Sequence, residues 1–287
     1  MRIFIAFVLV VSSSVSFAGG GWTQKKGKGY YKVSEWWISA TQHFDNVGNI
    51  DPNATIVLAN TTLYAEYGIT DKLTGVLFFP FFSHSHINTQ ISATNGSVLG
   101  QGDAINGIGD SELSLKYKLN NKSPFATSVS VLFGLPTGNE SGGREGNLQT
   151  GDGEFNQMIR LDVSRSVVLD QNFSAYGSLY GGVNNRTNGF SDEFRFGLEV
   201  GISIKEKVWL INRFDVLESM QNGRTTASGS DGSTLFANNS EFQSYTLEGA
   251  YYVTEKVGFS ASYSTAIDGA LIFASPSYSV GVFLDWQ

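Results

Sequence analysis

From residue 29 to the C-terminus, apolar and polar side chains alternate one for one in about a dozen separate segments. The stretch "GIGDSELSLKYKL" (107–119) is the most regular. Ser111, Leu113, Leu115, Tyr117 and Leu119 share one parity, and Asp110, Glu112, Ser114, Lys116 and Lys118 share the other. A period of two belongs to a β-strand with one apolar and one charged face. Phe125, Thr127, Val129, Val131 and Phe133 form another such face, as do Phe194, Phe196, Leu198, Val200 and Ile202 opposite Glu193, Arg195, Glu199 and Ser203. One segment is less regular: in "VWLINRFDVLES", Trp209 and Ile211 fall on the parity of Arg213 and Asp215.

The connections sort into two kinds. Those at 70–72, 120–124, 168–172, 205–207 and 254–256 are short. Those near 41–57, 84–106, 136–153, 184–191, 219–240 and 267–275 are expected to be long, and they are rich in Gly, Asn, Asp and Ser. Short and long alternate along the chain, as in an up-and-down barrel whose alternate connections share a rim. About twelve apolar faces are more than one small lumen can hold, so they must point outward, toward lipid. Closing the sheet then satisfies every backbone group without water. The expected fold is all-β: a single antiparallel up-and-down transmembrane β-barrel of about 12 strands, with short periplasmic turns and long extracellular loops. Tyr67, Tyr117, Trp209, Tyr251 and Trp286 lie near the short turns, where an aromatic girdle is expected.

Export is written at the N-terminus. Arg2, the apolar run Ile3 to Val11 and the small-x-small site Ser16-Phe17-Ala18 read as a cleaved signal peptide, residues 1–18. Residues 19–28 are then a short periplasmic segment, and 29–287 the barrel. No later stretch has the run of about 18 apolar residues that a spanning helix needs. The formal charge of −7, with no basic block, removes nucleic acid from the expected partners. No cysteine is present, so thiolate metal sites are excluded.

"GIGDSELSLKYKL", "VLFGLPTG" and "AEYGITDKLTGVLFFPF" resemble the Gram-negative outer-membrane barrel family named for the meta-pathway of phenol degradation. The opening "GWTQKKGKGYYKVSEWW" is similar to members of the same broad group, and the resemblance covers most of the mature chain. It implies an outer-membrane channel for passive uptake of small solutes, hydrophobic or aromatic compounds among them. It carries over no catalytic residue. Trp286 is followed by Gln287, whereas many barrels end on an aromatic. Expected partners are outer-membrane lipid and lipopolysaccharide, the barrel assembly machinery and the solute.

The residues themselves leave three functions open: a channel, an outer-membrane hydrolase and a closed structural barrel. Asp110 of G-x-G-D could resemble an intramembrane protease aspartate, but that chemistry needs a second aspartate on a spanning helix. The glycines read better as a hinge into the strand. A hydrolase would need His43, His84 or His86, which fall in long loops with no acid or oxyanion motif nearby. No metal ligand set, cofactor motif or EF-hand spacing is present. The inward parity instead gathers Glu66, Asp110, Glu112, Lys116, Lys118, Arg160, Asp162, Arg195, Glu199, Arg213, Asp215 and Glu248. These either form a charged constriction or an ion-paired filling. "LFFPFF" adds an apolar path: Phe78, Pro80 and Phe82 share the parity of Thr74 and are expected to face inward. Pro80 lacks a ladder donor and is expected at an edge or bulge.

Overall fold

A computed structural model describes residues 19–120, 123–224 and 235–287. The expected signal peptide, 1–18, lies outside the described residues. Twelve strands form the wall: β1 (Gly29–Phe44), β2 (Ile50–Thr70), β3 (Leu73–Ile87), β4 (Ser111–Lys118), β5 (Ala126–Leu135) and β6 (Asn156–Val168). β7 (Phe173–Arg186), β8 (Glu193–Ile204), β9 (Val208–Ser219), β10 (Glu241–Tyr252), β11 (Val257–Ala270) and β12 (Ser277–Trp286) complete it. Each pairs antiparallel with its sequence neighbour, and β1 also pairs with β12 from Gly29–Trp286 to Ile38–Ser277. The sheet therefore closes on itself.

The pleat delivers the expected faces. Leu113, Leu115 and Tyr117 are about half exposed on the outer surface, whereas Lys116 between them is only 7% exposed. The outward set continues round the wall through Leu161, Leu179, Leu198, Leu210, Phe259 and Val282. Inside lie Thr74, Ser128, Asp162, Ser178, Ser203 and Ser260, all buried. An apolar outside around a polar inside is the inverse of a soluble barrel and fits a lipid solvent. Tyr67, Tyr117, Tyr251 and Trp286 are exposed outward near the short turns, as a girdle requires.

Trp209 departs from that girdle. It is buried inside, against Tyr176 at 6.1 Å between ring centroids. The irregular parity of β9 is real: Trp209 shares the inner face with Arg213 because it packs on a neighbouring aromatic.

A second departure concerns the first hairpin. β1 and β2 run 16 and 21 residues, so the connection expected over 41–57 shrinks to 45–49. Asp45 closes it by accepting the N–H groups of Val47 and Asn49, both at 2.8 Å. A third lies in β3. Between Thr61–Phe82 and Thr62–Pro80 the β2–β3 register slips by one residue, at Phe81. The bulge swaps the parity beyond it. Pro80 stays buried, Ser83 and Ser85 point in, and Phe82 is 45% exposed outside rather than in the lumen.

The long-loop end is filled with apolar side chains. Ile38, Ala40 and Leu58 of β1 and β2 bury Phe273, with Trp36, Ile56 and Phe236 packed alongside. A short strand, Ile272–Phe273, holds the plug by pairing with Phe44 and His43.

The lipid-facing assignment is testable. Leu115→Arg places a charge in the apolar belt and should cost about 2–4 kcal/mol near the bilayer midplane. Urea unfolding of vesicle-reconstituted protein measures it; a half-exposed leucine of a soluble barrel would show no such loss.

Candidate functional site: a charged and aromatic vestibule

A cavity of about 1140 Å³ occupies the short-turn half of the barrel. Its wall comes from β1–β3, β6–β10 and β12, with the turns at 205–207 and 253–256 at its mouth. Tyr30, Tyr64, Tyr176, Tyr180 and Tyr252 line it together with Phe78, Trp209 and Phe283.

The ionised groups are organised by ion pairs. Arg213 bridges Glu199 and Glu248, the latter at 2.7 Å. Lys32 reaches the other oxygen of Glu248, also at 2.7 Å. Arg160 binds Asp162 at 2.6 Å and lays its guanidinium over the Tyr180 ring, 3.7 Å from the centroid. Burial of this many charges is tolerable only because each is paired and hydrogen-bonded.

Two carboxylates are held differently. Asp215 accepts the Tyr180 hydroxyl at 2.7 Å, and Asp285 accepts the Tyr252 hydroxyl at 3.0 Å. Tyr180 reaches Asp215 two strands away because Gly197 lies between them in register. A methyl group at Gly197 would overlap the Tyr180 ring. On the other side, Gly258 separates Tyr252 from Phe283, and its bare backbone is covered by the Phe283 ring.

Residues 20–26 lie inside the wall at the short-turn end. The Gly21 N–H donates to Ser164 Oγ at 2.7 Å, and the Gln24 N–H to Thr74 Oγ1 at 2.8 Å. Gln24 Nε2 reaches Glu66 at 2.9 Å, and Trp22 packs edge-on to Tyr176. The strap thus crosses the inner faces of β6, β5, β3 and β2.

The twelve charged residues singled out from parity do not form one ring. Arg160, Glu199, Arg213, Asp215 and Glu248 line the vestibule. Glu66 is fully buried beneath the strap, bonded to the Tyr64 hydroxyl and 3.9 Å from Lys116. Asp162 is the buried counterion of Arg160. Lys118 sits at the short-turn end of β4, its N–H on the Lys72 carbonyl. Glu112 and Arg195 line a smaller cavity of about 190 Å³ toward the long loops, with Arg195 paired to Glu193 at 2.7 Å.

Asp110 is a rim residue, as its glycine-hinged position implied. Its carboxylate accepts the N–H groups of Gly138 and Asp152, at 2.9 and 2.8 Å, and so ties the loop at 136–155 to the start of β4. His84 pairs with Asn106 at 2.7 Å and stands edge-on to His86, so no serine–histidine pair forms there.

Parity reasoning singled out charges and passed over Tyr64, Tyr176, Tyr180 and Tyr252 on the same polar parity. It stopped short of Tyr30, Lys32 and Asp285, which carrying the alternation through "GYYKVSEWW" and "VGVFLDW" reaches. It also missed the clamp at the long-loop rim. There Arg186 bonds Asp152, Glu154 and Glu193, each at 2.8 Å, and covers the Phe190 ring.

This clamp has a pH dependence. Burial lifts the Asp152 carboxyl to about 6, with Asp110 beside it adding to the rise and Arg186 opposing it. Burial likewise raises Asp110 and Glu154. A raised carboxyl favours the folded state when protonated, so that stability is full below the ordinary carboxyl range and is lost as pH rises through about 6. Proteolysis of the loop at 136–155 should be slower near pH 5 than near pH 7.5, and Asp152→Asn should flatten the difference. Arg186→Ala strands Asp152 and Glu154, while Glu193 keeps Arg195, and should loosen the rim by about 3–5 kcal/mol, read as exchange of the loop amides.

No protein-family model and no curated protein matches the chain. Among solved structures, the COG4313 outer membrane channel from Pseudomonas putida F1 superposes with a TM-score of 0.63 at 16% identity, over 93% of this chain and 98% of that one. The KdgM porin in complex with disordered oligogalacturonate gives a TM-score of 0.48 at 6% identity, over 90% and 99%. At these identities the likeness to the first is one of fold: this chain has the architecture of an outer-membrane-type barrel.

Proposed function

We propose that this protein is a passive outer-membrane channel for small solutes, apolar and aromatic compounds among them. The observation that carries the reading is the vestibule of about 1140 Å³ inside a closed, apolar-belted sheet. A barrel serving only as a membrane staple has no need of an open chamber lined by fixed charges and tyrosine rings. The short-turn rim is the periplasmic one in this reading, and outer-membrane lipid and lipopolysaccharide surround the belt. The barrel assembly machinery inserts it. The order of linings supports the solute class. An apolar plug around Trp36, Ile38 and Phe273 faces the long loops, and the aromatic vestibule follows. The motif resemblance to the family named for phenol degradation points the same way. The Pseudomonas putida protein of like architecture is an outer membrane channel, which supports the channel reading.

A side path through the wall is a second reading, favoured by β3. Pairing with β4 ends at Phe78–Glu112, pairing with the short strand Asp103–Gly107 begins at Ser83, and Gly109 N–H to Pro80 O (2.8 Å) spans the gap. Phe78 lines the vestibule while Phe82 lies outside, so the bulge joins an inner and an outer aromatic.

Planar-bilayer recording of the purified protein tests the main reading, with ion steps expected. A silent barrel would support the closed structural alternative. Pro80→Val, which restores a ladder donor, should slow uptake of an apolar solute into liposomes while leaving ion conductance in place. Unchanged uptake would remove the side path.

A further inference from the structure

The cations carried by the strands of the vestibule wall are already committed. Lys32 and Arg213 converge on Glu248, Arg213 also holds Glu199, and Arg160 is turned onto Asp162. At the mouth, Lys205, Lys207, Glu206 and Glu255 are exposed, so solvent screens them, and Lys256 places its ammonium over the outward Trp286 ring at 4.1 Å. Asp215 and Asp285 remain. Neither has a cation within 4.0 Å among the described residues; Asp215 is held by the Tyr180 hydroxyl, and Asp285 by the Tyr252 hydroxyl and by Gln287 Nε2 at 2.9 Å, all neutral donors. A neutral donor leaves the carboxylate's charge uncancelled, and a low-dielectric wall focuses its field into the chamber. Asp215 sits on β9 and Asp285 on β12, three strands apart around the wall, so both act on the same space.

We propose that Asp215 and Asp285 make the channel cation-selective, favouring small monovalent cations and solutes bearing an ammonium group over anions of similar size. The tyrosine rings add to this preference, since an ammonium is attracted to an aromatic face and an anion is not. Tyr180 and Tyr252 are positioning residues: their hydroxyls aim the two carboxylates. The inference rests on the channel reading, and the experiment separates the two.

Reversal potentials are recorded for the full-length mature protein in planar bilayers under asymmetric potassium chloride, then with tetramethylammonium chloride. The expected sign is that of a cation-selective pore, with potassium several-fold more permeant than chloride. Asp215→Asn with Asp285→Asn should still conduct, with the ratio falling toward one. Tyr180→Phe with Tyr252→Phe should lower it partway. Conducting wild-type protein with no preference or an anion preference overturns the inference and leaves the channel reading standing, as does a ratio unmoved in the asparagine variant. Wild-type protein that inserts but never conducts overturns both. Should the asparagine variant fail to insert, the wild-type sign with tetramethylammonium still decides.

Discussion

A strand in lipid has no water to bond, so the pairing of β1 with β12 is the condition on which everything else depends. Ten consecutive residue pairs, from Gly29–Trp286 to Ile38–Ser277, convert a sheet with two open edges into one with none. Closure also fixes the register, and register decides which side chains share a level inside. Arg213 meets Glu199 and Glu248 because their strands are adjacent in register, with Glu199 opposite Arg213 itself. Tyr180 meets Asp215 only because Gly197 falls between them. The polar interior is thus a consequence of the wall rather than a separate core.

The inside has two chemistries stacked along the axis. Toward the long loops, apolar side chains of β1 and β2 embrace Phe273, and the rim is locked by Arg186 and its three carboxylates. Toward the short turns, the chamber is polar, charged and aromatic. The two ends of the interior are thus two unlike solvents.

The wall was legible in the sequence because alternation repeats often enough to outvote local exceptions. Leu113, Leu115 and Tyr117 face out, and Glu112 and Lys116 face in, as their parity requires. The exceptions have local causes that parity cannot carry. A bulge at Phe81 moves Phe82 to the lipid side, and Pro80 is its one mark in the sequence. Trp209 points inward because Tyr176 offers it a partner from another strand, which no single segment reveals. The clamp on Arg186 reaches Asp152 and Glu154, more than thirty positions away, through loop geometry. The strap was illegible for a different reason. Residues 20–26 have no periodicity, and much of what holds them is backbone N–H groups donating to wall hydroxyls.

That strap changes the shape of the passage. By lying against β6, β5, β3 and β2 it removes one side of the barrel from use, and no residue of β4 or β5 borders the vestibule. The free section is therefore off-centre, bounded by Gly19 and Gly20 of the strap and by β1–β3, β6–β10 and β12.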